Sequence, residues 1–126
     1  MSVTFTATCH CGAVELTGTL REDTFVPRRC TCSFCARRQA GNVSVAVPEL
    51  HITKGKEALR LYQFGTKTAE HYFCGTCGIY THHKRRAVPD EYGVNIGCIE
   101  GQNSWEYEPM LWHNGVNHPS DPEPGK

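Results

Sequence analysis

This 126-residue chain has no long hydrophobic run, no excess of either charge and almost no helical patterning, and each absence removes a class of protein. No stretch approaches the roughly 20 apolar residues that a membrane-crossing helix needs, so a membrane span is excluded. Lys plus Arg and Asp plus Glu number 13 each, which argues against a generally basic nucleic-acid surface and makes nucleic acid an unexpected partner. The first residues, Met1-Ser2-Val3-Thr4-Phe5-Thr6-Ala7-Thr8, have neither the basic start nor the apolar stretch of a secretory signal. The expectation is a soluble cytoplasmic protein with one domain over residues 1–118. The segment 119–126 is too rich in proline to be more than a frayed tail. At 39% hydrophobic residues the core is modest, so metal is expected to supply part of the folding energy.

What the chain does have is cysteine, eight of them. Without a sign of export, metal ligation or redox chemistry is expected ahead of disulfides, and the spacing favours metal. Seven of the eight fall into three clusters: Cys9-His10-Cys11, Cys30-Thr31-Cys32-Ser33-Phe34-Cys35, and Cys74-Gly75-Thr76-Cys77. Glycine follows two of them directly, at Gly12 and Gly78, as a tight turn bending its backbone around a metal requires. These are the features of zinc knuckles.

Around the clusters the apolar residues alternate. Val3, Phe5 and Ala7 predict one strand, and Val14, Leu16, Gly18 and Leu20 a second, with the first knuckle at the hairpin tip between them. Val43, Val45 and Val47 predict a strand up to Pro48, Leu50 and Ile52 a short one, and Leu59 to Phe64 another. Ala69 to Cys74 runs into the second knuckle and Ile79 to His83 leaves it. Tyr92, Val94, Ile96 and Cys98 alternate as a late strand. The single helical stretch is Ala36 to Ala40, with Ser33 as a possible cap and Gly41 as its stop. The fold class is therefore mainly β, short strands joined by glycine-marked turns and stapled by zinc, with at most one or two short helical turns.

Two hairpin tips with two sulfurs each make one complete tetrahedral site from Cys9, Cys11, Cys74 and Cys77. Cys30, Cys32 and Cys35 are left with three ligands. Their metal then either keeps an open coordination position, as reactive zinc sites do, or is closed by Cys98 or a histidine. Cys98 itself is in phase with Val94 and Ile96 and is expected to be a buried core thiol.

The motifs Cys9-His10-Cys11-Gly12-Ala13-Val14, Cys30-Thr31-Cys32-Ser33-Phe34-Cys35 and Phe73-Cys74-Gly75-Thr76-Cys77-Gly78 resemble those of the glutathione-dependent formaldehyde-activating family, which also contains the centromere-protein-V-like proteins. The resemblance spans nearly the whole chain, with the three motifs in order and at similar separations. It implies a fold of several small antiparallel sheets with two zinc ions, with Cys9, Cys11, Cys74 and Cys77 as structural ligands and Cys30, Cys32 and Cys35 as catalytic ones. It also implies a carbon-sulfur lyase activity that joins glutathione to formaldehyde as S-hydroxymethylglutathione. The chain is shorter than the family's namesakes.

The chemistry follows from the ligands alone as well. Three thiolates leave zinc with a net charge of about minus one and make it a weak Lewis acid, unsuited to activating water. Such a soft centre suits a fourth sulfur, holding a substrate thiol as thiolate ready to add to a small aldehyde. Arg28, Arg29, Arg37 and Arg38 flank the triplet and could offset its charge or hold substrate carboxylates. Histidines 82 and 83 leave the second knuckle with Tyr80, where one could carry protons for the reactive zinc or pair with a backbone carbonyl. Arg37, Arg38 and His82 are the candidate substrate contacts. Trp105, Tyr107, Met110 and Trp112 are expected to close the core or form a partner surface. Two functions remain open: a zinc-dependent lyase acting on a thiol and an aldehyde, and a non-catalytic zinc module binding a protein or nucleic acid through His82 to Arg86.

Overall fold

Alternation becomes structure directly in the first hairpin. In the computed structural model, which describes residues 3–65, 67–85 and 90–113, strand β1 (Thr4–Thr8) buries Phe5 and Ala7 between threonines. Strand β2 (Glu15–Leu20) buries Leu16, Gly18 and Leu20 on the same side. The two pair antiparallel from Thr4↔Thr19 to Thr8↔Glu15, leaving the Cys9–Cys11 segment at the tip. The remaining elements are β3 (Arg28–Cys30), α1 (Ser33–Arg38), β4 (Asn42–Lys54), β5 (Leu59–Tyr62), β6 (Glu70–Cys74), β7 (Tyr80–Lys84), β8 (Glu91–Asn95) and β9 (Leu111–His113).

The small sheets expected from the sequence are joined into one nine-stranded sheet, with the antiparallel path β1-β2-β4-β8-β7-β6-β5. Strand β3 pairs with β4 and, in parallel, with β9. The join is β4, whose 13 residues pair with β8 from Asn42 to Ala46, with β2 at Val45 and again from Leu50 to Lys54, and with β3 at Asn42. Pro48 was expected to end a strand and does not. It falls between Val45 and Leu50, where the register between β2 and β4 shifts and a missing N–H is tolerated.

Helix α1 starts earlier than the sequence suggests. Its cap is Cys32, whose Sγ accepts from the Cys35 amide at 3.3 Å, so a sulfur does what the Ser33 hydroxyl was expected to do. Gln39, with φ of +59°, ends it in place of Gly41. Gly41 is needed for space instead, because a Cβ there would lie 2.4 Å from Met110 Sδ. The late strand also stops short, at Asn95, whose Oδ1 accepts from Gly97 N at 3.0 Å and turns Ile96–Cys98 into a 3-10 turn.

The core is built from Ala7, Val14, Leu16, Val45, Val94 and Ile96, all essentially inaccessible, and it includes Cys9 and Cys74. One cysteine cluster is thus continuous with the hydrophobic core. At the other end of the chain Met110 is buried and Tyr107 packs on the core, whereas Trp105 and Trp112 are exposed. Among the described residues no helix is long and apolar enough to cross a membrane. Arg86 and residues 119–126 lie outside the described residues.

Candidate metal centres and their surroundings

Two hairpin tips deliver the first cluster. Cys9 and Cys11 come from the β1–β2 tip, Cys74 from the end of β6 and Cys77 from the turn into β7, and their sulfurs all lie within 4.8 Å of one another. The Cys9–Cys11 and Cys11–Cys74 separations are both 3.7 Å. A tetrahedron with zinc–sulfur bonds of about 2.3 Å has edges of about 3.8 Å, so the donors stand where such an ion needs them. Gly12 and Gly78 have φ of +83° and +80°, the left-handed turns expected behind each pair. Backbone amides are aimed at the sulfurs: Val14 N donates to Cys9 Sγ at 3.3 Å and Thr76 N to Cys74 Sγ at 3.4 Å. The Cys11 amide, with that of Ile79, holds the Cys77 thiol down to about 6. The Cys77 amide lowers Cys74 in the same way.

The second cluster is local. Cys30 ends β3, Cys32 caps α1, Cys35 lies in its first turn, and the three sulfurs again lie within 4.8 Å of one another. The charge concentrates on Cys32, held down to about 2 by hydrogen bonds from the Cys30 and Cys35 thiols and by the helix amides. Cys35 is pushed up because it donates into that arrangement. Both sulfur sets fit a zinc ion, four donors in one and three in the other. Among the described residues neither Cys98 nor a histidine joins the three. Cys98 is buried, as expected, and donates to the Tyr80 carbonyl at 3.4 Å.

Of the four flanking arginines, Arg38 alone bonds to a cysteine sulfur. Arg28 pairs with Glu22 at 2.9 Å, Arg29 makes a two-pronged pair with Glu108 at 2.8 and 3.0 Å, and exposed Arg37 donates to Ser33 O. Arg38 Nη2 donates to Cys35 Sγ at 3.2 Å and Nη1 to His71 Nδ1 at 3.2 Å. Its guanidinium lies 4.5 Å from the Phe34 ring centre and 3.7 Å from that of Tyr80. Because Arg38 can only donate, His71 Nδ1 is the acceptor and its proton sits on Nε2. Tyr80 OH lies 2.5 Å from Asn42 Oδ1 and 2.6 Å from His83 Nδ1. Asn42 Nδ2 is turned to the Ala40 carbonyl, so Tyr80 donates to Asn42 and His83 donates to Tyr80. Burial, then Arg38, lowers both imidazoles: His71 to about 4 and His83 well below its ordinary value.

His82 is on the other side of this arrangement. Its ring stacks on Tyr72 at 4.8 Å and meets Tyr92 edge-on, and its Nδ1 lies 2.8 Å from Thr81 Oγ1, with no bond to the triplet or Arg38. The surroundings of the triplet are instead Tyr80 and His83, which the sequence grouped with His82, and His71, which it did not single out. A bulge explains Tyr80. Tyr72 faces His82 and Phe73 faces Tyr80, so Thr81 is an extra residue that puts Tyr80 beside His83.

Burial holds His82 down to about 4, against about 6.5 in an unfolded chain. A depressed histidine costs nothing above the unfolded value. As pH falls from 6.5 towards 4 the unfolded chain takes up the extra proton and stability is lost, on the order of 3 kcal/mol for one such group. His82→Gln should therefore flatten the fall in melting temperature over that window relative to wild type. An identical slope in both proteins would show that His82 carries no such penalty.

The sequence model of the family described as "Glutathione-dependent formaldehyde-activating enzyme" matches residues 4–114. A crystal structure of a Rhodobacter sphaeroides protein is similar to this chain, with 50% sequence identity and a TM-score of 0.83, the match covering 86% of this chain and 99% of that one. With three cysteine motifs in order, the mainly β fold and a match over almost all of its described length, the chain belongs to the glutathione-dependent formaldehyde-activating enzyme family.

Proposed function

We propose that the protein is a zinc-dependent carbon-sulfur bond-forming enzyme, and in reverse a lyase, acting on a glutathione-like thiol and a small aldehyde. The observation that carries the reading is the inequality of the two sulfur clusters. Four donors at tetrahedral spacing, continuous with the core, suit a structural ion; three donors beside a fixed cation suit a reactive one. Cys9, Cys11, Cys74 and Cys77 take the structural role and Cys30, Cys32 and Cys35 the catalytic one. A zinc ion bound by the three would supply a soft Lewis acid with room for a further sulfur.

In the reaction the substrate sulfur gives an electron pair to the aldehyde carbon, the carbonyl π bond breaks, and the oxygen takes the proton that the thiol gave up. The product is a hydroxyalkyl thioether, which for glutathione and formaldehyde is S-hydroxymethylglutathione. Neutral His71 and His83 leave Arg38 as the local cation beside the three sulfurs. The cytoplasm is the expected setting, since it supplies both abundant thiol and reduced cysteines.

The test is the cobalt(II)-substituted protein titrated with glutathione. A saturable change in the visible spectrum is expected, because a sulfur entering the three-thiolate site changes the ligand field. A spectrum indifferent to every thiol, together with no turnover of thiol and aldehyde, would leave a zinc-built interaction domain.

A further inference from the structure

Both ends of the Arg38 guanidinium are already committed, which is unusual for a residue meant to grip substrate. Its two terminal nitrogens are committed to Cys35 Sγ and His71 Nδ1, and the Phe34 and Tyr80 rings lie close against its guanidinium. Its Nε is buried without an acceptor. His71 can accept only while neutral, and the tyrosine ring is fixed in turn by Asn42 and His83. What this arrangement obtains is a positive charge fixed 3.2 Å from one sulfur of the triplet.

Charge arithmetic says what that is for. A divalent ion on three thiolates carries about minus one, and a further thiolate would bring it to about minus two in a largely buried site. Arg38 removes one unit from both totals. We propose that Arg38 is a positioning residue that neutralises the three-thiolate centre and so lets it accept an anionic sulfur in preference to a neutral ligand, with His71 and Tyr80 holding the guanidinium in place. This rests on the three-cysteine site being open, and it replaces the expectation that Arg38 binds substrate carboxylates.

The test uses cobalt(II)-substituted wild type, Arg38→Gln and Arg38→Lys, each titrated with 2-mercaptoethanol, glutathione and imidazole. 2-Mercaptoethanol has no carboxylate and imidazole no charge. Arg38→Gln should bind both thiols about tenfold more weakly, about 1.4 kcal/mol, while imidazole changes less than twofold. Arg38→Lys, which keeps the charge, should stay within about threefold of wild type. A loss confined to glutathione would make Arg38 a carboxylate clamp, and an equal loss for thiols and imidazole would make it merely structural. Either result overturns the proposal, as does a tenfold loss of thiol binding in Arg38→Lys, which decides the matter if Arg38→Gln does not fold. Should wild type ignore all thiols, the open-site reading fails by itself. The position of the sulfur-to-cobalt charge-transfer band then tests Arg38: a shift to longer wavelength in Arg38→Gln is expected, and an unmoved band overturns the proposal.

Discussion

Cys9→Ser and Cys77→Ser should each abolish the cooperative fold, with aggregation or a featureless near-ultraviolet spectrum at room temperature. The cluster they belong to joins the β1–β2 tip to the β6–β7 turn, segments 63 residues apart at Cys11 and Cys74. Cys9 and Cys74 are themselves core residues, at 4% and 0% exposure, so losing the ion leaves thiols and thiolates inside apolar packing. A structural zinc is worth roughly 10–16 kcal/mol, as much as the whole net stability of an ordinary domain, about 5–15 kcal/mol. One ligand of four is then worth roughly 3 kcal/mol or more, before the core is disturbed. Thermal melting with metal analysis is the measurement. Variants that melt cooperatively near the wild-type temperature with full zinc would refute the structural assignment.

The parts of this molecule that were legible in the sequence are those decided within a few residues. Each cysteine pair is followed by the glycine that its turn needs, and at Gly12 and Gly78 the backbone is left-handed as expected. Phe5 and Ala7 against Leu16 and Leu20 show the first hairpin by alternation alone. What could not be read depends on a neighbour far along the chain or on one residue out of step. Thr81 is such a residue: it bulges, and Tyr80 joins His83 beside Arg38 although period-two reasoning groups it with His82. His71 is 33 residues from Arg38 and nothing in its own surroundings announces the bond. The choice among four arginines had a local signal that could have been used. Arg38 stands three residues after Cys35 on α1, the spacing that puts two side chains on one helix face, while Arg28 and Arg29 precede the helix. Pro48 was misjudged because it falls in a register irregularity between β2 and β4, a property of the sheet and not of the residue.

Cys32→Ser should do the opposite of the structural substitutions: remove the activity and spare the fold. Cys32 contributes to the protein twice, as a sulfur of the triplet and as the cap that accepts from the Cys35 amide. Serine replaces only the second contribution. Its hydroxyl is among the best helix caps, so α1 should keep its start at Ser33, whereas an alanine at this position would cost about 1 kcal/mol more. As a metal ligand the hydroxyl is poor, because it stays protonated near neutral pH. Losing one of three thiolates at roughly 3 kcal/mol each lowers metal affinity by more than about a hundredfold, and thiol–aldehyde adduct formation should fall at least as far. The four-cysteine cluster shares no residue with the triplet, so far-ultraviolet dichroism should match wild type and one zinc ion per chain should survive purification. Cys32→Ser that forms the adduct at wild-type rate would exclude the triplet as the catalytic centre, and Cys32→Ser that unfolds like Cys9→Ser would make the triplet a second structural site.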